Sequence, residues 1–354
     1  MAAAWKRGGL LASGLLLLLL LLSSCGTSDK PSTAGSASTP GPSIAPAATA
    51  AASQQPSATP AATKRTVKHA FGETVIPAQP KRITSIALED MLLSLEVPLV
   101  QANGMEGYYL YDKLKQQQVS MFYVGTGINY ETLLSAQPEL IIAIKSLVPD
   151  QATYDKLSQI APTIVYDRDQ WRTSIVEIGQ ALGKEANAAA VIKAYDDKLK
   201  AAKETIVRAV GMNKSVALTR PSEKDIQIFL PPFAYGSVLY NDLGLVPAPF
   251  ATELQNKAEK GTSASSLSLE KLPDIDADYL FVTAGGSLSL AGDFQKALET
   301  VSGVEQLQLW KTIPAVKQNH FFKLSARHWM LSGPIADSMK IDDVVAAVTG
   351  QPLK

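Results

Sequence analysis

The chain has 354 residues, enough for two compact units at roughly 100 to 200 residues each. Lysine plus arginine and aspartate plus glutamate both number 33, so no bulk charge draws the protein to nucleic acid, and any charged partner must be met by local patches. A single cysteine, Cys25, excludes an intrachain disulfide, a CxxC redox pair and a Cys-rich zinc site, and His69, His320 and His328 are too few for a cage built mainly of histidine.

Residues 1–24 form a secretory signal: Lys6 and Arg7 supply the positive start, Leu10 to Leu22 the apolar run, and Ser23-Ser24 the small residues before cleavage. The run of about 13 residues falls short of the roughly 20 that span a bilayer. Its ending, Leu22-Ser23-Ser24-Cys25-Gly26, resembles the lipobox of bacterial lipoproteins, which implies that Cys25 is lipidated and becomes the first mature residue. Palmitate-type acyl chains would each contribute about 0.8 kcal/mol per buried CH₂, and more than one chain makes anchoring stable. Residues 25–65 then read as a disordered tether. From Gly26 to about Thr63 the composition is nearly all Ser, Thr, Ala, Pro, Gly and Gln, with Ile44 the one aliphatic larger than alanine. A flexible coil of that length reaches roughly 35 Å, which suits a Gram-positive surface lipoprotein on the extracellular face of the cell membrane.

After Thr66 the pattern alternates. Arg82 to Ala87, Leu99 to Ala102, Phe122 to Val124 and Leu140 to Ile144 read as strands; Glu89 to Leu95, Tyr109 to Gln117 and Tyr130 to Ala136 read as helical. This predicts an α/β lobe with a largely parallel sheet over residues 66–184. Trp171, Ile175, Ile178 and Leu182 keep helical spacing up to Gly183, and the period resumes through Ala189, Ile192, Tyr195, Leu199 and Ile206. One long helix is expected over 185–210. A second α/β lobe over 211–354 follows from strands at Val216 to Thr219, Gln227 to Leu230, Tyr279 to Thr283 and His320 to Leu324, with a closing helix at Lys340 to Val348.

The two halves echo each other. Asn129-Tyr130-Glu131 precedes Pro138-Glu139 and the strand at Leu140, and Ser268-Leu269-Glu270 precedes Pro273-Asp274 and the strand at Leu280. Each half thus places a glutamate in a first helical turn, where the helix dipole alone would favour a carboxylate.

Four segments carry a family resemblance: His69 to Ile83, Gly125 to Glu131 with Pro138 to Ile142, Tyr240 to Leu245, and Trp329 before Gly333-Pro334-Ile335-Ala336. From His69 to its C-terminus the chain is similar to the iron-siderophore substrate-binding lipoproteins of ABC importers. The resemblance implies two α/β lobes joined by one long, rather rigid helix, with a ligand cleft between the lobes. It also implies a monomer whose lobes each dock a glutamate, here Glu131 and Glu270, onto the two permease subunits. One departure is Glu96 in Ser94-Leu95-Glu96-Val97, where the family commonly has glycine, which puts that turn's geometry in question.

Ligand residues are expected in loops at the carboxyl ends of strands. These hold Tyr108 and Tyr109, Lys145, Arg220, Tyr235, and Arg327 with Trp329. Aromatics with a few guanidiniums suit a ferric chelate, because apolar arms pack on rings and arginine forks donate to carboxylate or hydroxamate oxygens. The same residues also admit plain structural roles: interlobe packing for Trp329, a surface ion pair for Arg220, helix-to-sheet packing for the tyrosines. The sequence lacks GxSxG, HExxH and Walker patterns, and Gly125-Thr126-Gly127 is followed by Tyr130 where a dinucleotide fingerprint needs its third glycine. The expected function is capture of an iron(III) siderophore, of hydroxamate or citrate-hydroxamate type, with no catalytic residues, cofactor or resident metal. Haem or a corrinoid, with His328 a conceivable haem ligand, and a surface enzyme using the interlobe cleft are the alternatives.

Overall fold

The computed structural model describes residues 64–211 and 213–352. The signal peptide, Cys25 and the tether as far as Thr63 lie outside the described residues. The described part opens with an antiparallel hairpin, β1 (Lys64–His69) and β2 (Gly72–Pro77), paired from Lys64↔Pro77 to His69↔Gly72. Lys64 and Arg65, assigned by composition to the end of the tether, therefore belong to the folded part. Arg65 explains why: its guanidinium donates to the carbonyls of Gln180 and Ala181, at 3.1 Å each, and so caps a helix end far along the chain.

The first lobe alternates strand and helix: β3 (Ile83–Ile86), α1 (Glu89–Ser94), β4 (Leu99–Asn103), α2 (Tyr111–Gln116), β5 (Ser120–Phe122), α3 (Tyr130–Ser135), β6 (Leu140–Ile144), α4 (Gln151–Ser158) and β7 (Thr163–Tyr166). The five strands form one parallel sheet in the order β5-β4-β3-β6-β7. β3, β6 and β7 are buried along their whole length, which is why β6 reads as an unbroken apolar run and not as an alternating one. β5 ends at Phe122, earlier than expected, because Val124 turns its N–H to the Asn103 side chain at 3.2 Å instead of to a neighbouring strand. The turn at Glu96 keeps the shape that glycine would favour. Its φ is +56°, a left-handed conformation that costs a residue with a Cβ about 1–2 kcal/mol.

α5 (Trp171–Leu182) stops at Gly183, whose φ of +67° and missing Cβ allow the left-handed cap. The next helix, α6 (Glu185–Val210), has 26 residues, or about 39 Å at 1.5 Å per residue. Its buried residues Ala188, Tyr195, Ala202 and Ile206 form one stripe.

The second lobe comprises β8 (Ser215–Pro221), β9 (Asp225–Phe229), β10 (Val246–Pro247), α7 (Pro249–Lys257), β11 (Ala264–Ser268), β12 (Tyr279–Thr283), α8 (Ala291–Glu305), α9 (Pro314–Lys317), β13 (Phe321–Leu324), α10 (Ala326–Trp329) and α11 (Pro334–Thr349). Its sheet runs β11-β9-β8-β12-β13, with β10 beside the start of β8. β9 is antiparallel to both neighbours, while β8, β12 and β13 are parallel. The carboxyl ends of those three strands therefore share an edge. α11 begins at Pro334, earlier than its apolar period suggested, and packs on both α6 and α1. Among the described residues no helix is long and apolar enough to cross a membrane.

Candidate functional site

The lobes meet through the first turns of α1 and α11. Asp90 of α1 accepts hydrogen bonds from the Ile335 and Ala336 backbone N–H groups, both at 2.9 Å, and so caps a helix of the opposite lobe. Gly333 makes this approach possible, since a Cβ there would lie 2.5 Å from the Asp90 carboxyl carbon. The Tyr109 hydroxyl donates to the same carboxylate at 2.6 Å. Burial outweighs these donors and pushes the Asp90 carboxyl up to about 6. Next to it, Glu89 accepts from Ser85 at 2.9 Å, Asn103 at 3.0 Å and Tyr108 at 3.2 Å, and burial raises its pKa as well.

Further bonds cross between the halves. Trp171 Nε1 donates to Asp337 of α11 at 2.8 Å, and Arg168, just past β7, donates to the Tyr235 hydroxyl at 3.2 Å. The Tyr123 hydroxyl reaches the Leu288 carbonyl at 2.9 Å. Leu288 belongs to the glycine- and serine-rich loop after β12, and two arginines hold that loop from its own side. Arg220, at the carboxyl end of β8, donates to the Gly285 carbonyl at 3.1 Å and to Gln227 Oε1 at 2.6 and 3.1 Å. Arg327, over the Phe294 ring at 4.3 Å, donates to the Ser287 and Ser289 carbonyls. Burial lowers the pKa of both guanidiniums.

The expected ligand residues divide on this geometry. Arg220 lines a recess of about 610 Å³ with Ser222, Lys224 and Thr300. Arg327 faces the other lobe: a Cβ on Gly107 would lie 3.3 Å from its Nη2. Tyr235 sits edge-on to Phe233 and against Arg168. Tyr108 and Tyr109 pack edge to face at 4.8 Å with their hydroxyls spent on Glu89 and Asp90, so they stand deeper than the arginines. Lys145 is exposed beyond β6, in a separate recess with His69, Tyr166 and Asp167.

Trp329 requires correction as a cleft residue. It is 0% exposed, stacks on Phe281 and donates Nε1–H to Asp343 at 2.7 Å. Its indole therefore does not face Tyr108 or Tyr109. The conceivable haem ligand His328 is buried too, with Nε2 2.7 Å from the same Asp343 carboxylate. Glu131 and Glu270 are both exposed in the first turns of α3 and of the 3-10 turn Leu269–Asp274, which Asn129 and Ser268 cap.

Arg168 and Asp90 went unread in the sequence. Thr163–Tyr166 is only four residues long, too short for its pattern to mark a strand, so the loop after it that carries Arg168 has no sequence signal either. The pairing of Asp90 with residues 335 and 336 has no local signal at all.

The model of the periplasmic binding protein family matches residues 102–328. The chain belongs to this family. Its relatives include the iron(3+)-hydroxamate-binding protein FhuD of Bacillus subtilis, 29% identical over 289 residues that cover 80% of this chain and 86% of FhuD. The probable siderophore-binding lipoprotein YfiY of the same organism is also 29% identical, over 79% of this chain and 86% of its own length. Among solved structures, Staphylococcus aureus SirA complexed with staphyloferrin B superposes with a TM-score of 0.66 at 27% identity, covering 80% of this chain and 98% of SirA. The Bacillus subtilis protein BSU3320, of the FhuD fold family, gives 0.62 at 27% identity, covering 76% and 97%. The architecture is thus that of two α/β lobes bridged by α6, with the cleft between them, and the relatives are substrate-binding proteins.

Proposed function

We propose that this chain captures an iron(III) siderophore of hydroxamate or citrate-hydroxamate type in the cleft between its lobes and delivers it to an ABC permease for import. In this reading Cys25 carries the lipid anchor on the outer face of the cell membrane, and the protein binds and releases its cargo without chemistry. The names of FhuD and YfiY support the ligand class, and YfiY's also supports the anchor. The observation that carries the reading is the double arginine grip on the loop after β12. Arg220 and Arg327 already hold carbonyl and amide oxygens, the kind of acceptor that hydroxamate and carboxylate groups present. A chelate entering the cleft exchanges with those oxygens, and Tyr235 offers it a ring face. Tyr108 and Tyr109 shape the floor, whereas Lys145 stands in its separate recess and Trp329 in the core.

Arg220→Ala tests this. The variant is expected to weaken binding of a ferric hydroxamate by about 1.5 to 3 kcal/mol, the range for hydrogen bonds to charged groups, read by titration against wild type. Unchanged affinity would remove Arg220 from the site.

A further inference from the structure

Lys145 stands in a recess whose walls all come from residues 68–177: the tip of the β1–β2 hairpin, the carboxyl ends of β6 and β7, and the first half of α5. Its volume of about 510 Å³ falls within the roughly 300–1,000 Å³ of small-molecule sites. The walls are fixed by bonds of their own. The Ala70 N–H donates to the Val165 carbonyl at 3.1 Å and ties the hairpin tip to β7, and the Ser174 hydroxyl donates to the Asp167 carbonyl at 2.7 Å. His69 spends both ring nitrogens within the wall, on Thr74 and on the Phe71 N–H. Burial lowers its pKa, so it brings no charge at neutral pH.

Two features of this recess have no role in the fold. Tyr166, in the same wall, is 3% exposed, and its hydroxyl is buried without a hydrogen-bond partner, where buried polar atoms are nearly always paired. Burial first and the Glu177 carboxylate second raise its pKa, so the hydroxyl keeps its proton. Lys145 shares the recess with Asp167 and Glu177, yet among the described residues none of the three makes an ion pair within 4.0 Å. Lys68, the other cation, is paired with Glu73 of its own hairpin at 3.7 Å. Opposite charges that line one recess without meeting are complementary to a molecule that carries both. We infer that this recess is a second binding site, separate from the siderophore cleft, and that it takes a compact zwitterion, an α-amino acid. The carboxylate of the ligand meets Lys145 and its ammonium meets Glu177 and Asp167. The Tyr166 hydroxyl serves both ends, since it accepts from an ammonium and donates to a carboxylate one carbon away.

The test is calorimetric titration of the purified full chain with L-alanine, propionate and ethylamine, the last two being alanine without its ammonium and without its carboxylate. Wild type is expected to bind L-alanine one-to-one and at least about tenfold more tightly than either fragment, because each fragment leaves one sign of charge unmet. Lys145→Met and Glu177→Gln should each lose at least about fivefold on L-alanine, since each removes one charge-assisted bond. Tyr166→Phe should lose about three- to tenfold while melting no lower than wild type, because the change removes only an unpaired hydroxyl. None of the three variants should shift ferric hydroxamate binding by more than about twofold, the two sites sharing no residue. No binding of L-alanine would overturn the proposal, and so would propionate or ethylamine binding as tightly as L-alanine, which would make the recess a plain anion or cation site. A Tyr166→Phe variant that melts lower and binds L-alanine as wild type does would also overturn it, because the hydroxyl would then be held by buried water as part of the fold.

Discussion

Reversing both Glu131 and Glu270 to arginine is expected to abolish uptake of the ferric siderophore by cells while leaving its binding to the purified protein within about threefold, a difference under 1 kcal/mol. Both carboxylates are exposed, and each stands in the first turn of a short helical segment that leads into a core strand of its own lobe. Neither carboxylate bonds to Asp90, Arg168, Arg220 or Arg327, so the ligand site should feel their loss only through weak, screened fields. At a docking surface the sign of a charge matters far more: like charges brought together cost several kcal/mol. Leu134, one turn past Glu131 and 59% exposed, gives the first lobe an apolar contact beside its acid. Loss of the favourable helix-end charge should cost each site about 0.3–1 kcal/mol of stability, too little to unfold the protein. Normal uptake by the double variant would sink the docking role. Loss of ligand binding would show that the two acids were assigned to the wrong surface.

Lys340→Met is expected to be among the most damaging single changes to the fold, at about 3 to 5 kcal/mol, the range for breaking a buried ion pair by removing one partner. Lys340 is 0% exposed and spends its ammonium on Asp337 Oδ1 at 2.9 Å, the Tyr235 carbonyl at 3.1 Å and the Leu331 carbonyl. Asp337 is 3% exposed, and its other oxygen takes the indole N–H of Trp171. Methionine would fill the volume but leave that carboxylate held by one neutral donor and two carbonyls without their shared partner. The residues affected join α5, α11 and the segment that carries Tyr235, so the damage should reach the cleft as well as the melting temperature. Adding Asp337→Asn removes the stranded charge and should recover much of the loss, because the two changes share one network and do not add. Denaturant melts of the two single variants and the double variant supply the cycle. A loss under 1 kcal/mol for Lys340→Met, or a double variant as unstable as the sum of the singles, would contradict this account.

What the sequence disclosed depends on the range of the interaction involved. α6 was legible because a regular 3.6-residue period over 26 residues is a local signal, and Gly183 marks the break before it by its own backbone freedom. Buried strands such as β6 and β12 stood out as short apolar runs. The hairpin β1–β2 did not, because its residues are mostly polar and only Val67 and Ile76 are buried. At the site, residue type led to Arg327 and Tyr235, which approach Gly107 and Arg168 of the first lobe, and to Arg220, whose recess is lined by its own lobe. The same reasoning misplaced Trp329: whether an indole faces a cleft or the core depends on who accepts its N–H, and Asp343 lies 14 residues further on another helix. Tyr166 was hidden for a similar reason, because an unpartnered hydroxyl can be recognised only when every possible partner has a position.

Equilibrium titration of the full chain with a ferric hydroxamate and a ferric citrate-hydroxamate, beside a ferric catecholate and haem, tests the central claim most directly. The account predicts saturable one-to-one binding of the first two, recovery of the chelate unchanged, and no Soret shift with haem. A Soret shift at stoichiometric haem together with no binding of any ferric siderophore, or a chelate that is chemically altered on incubation, would contradict it.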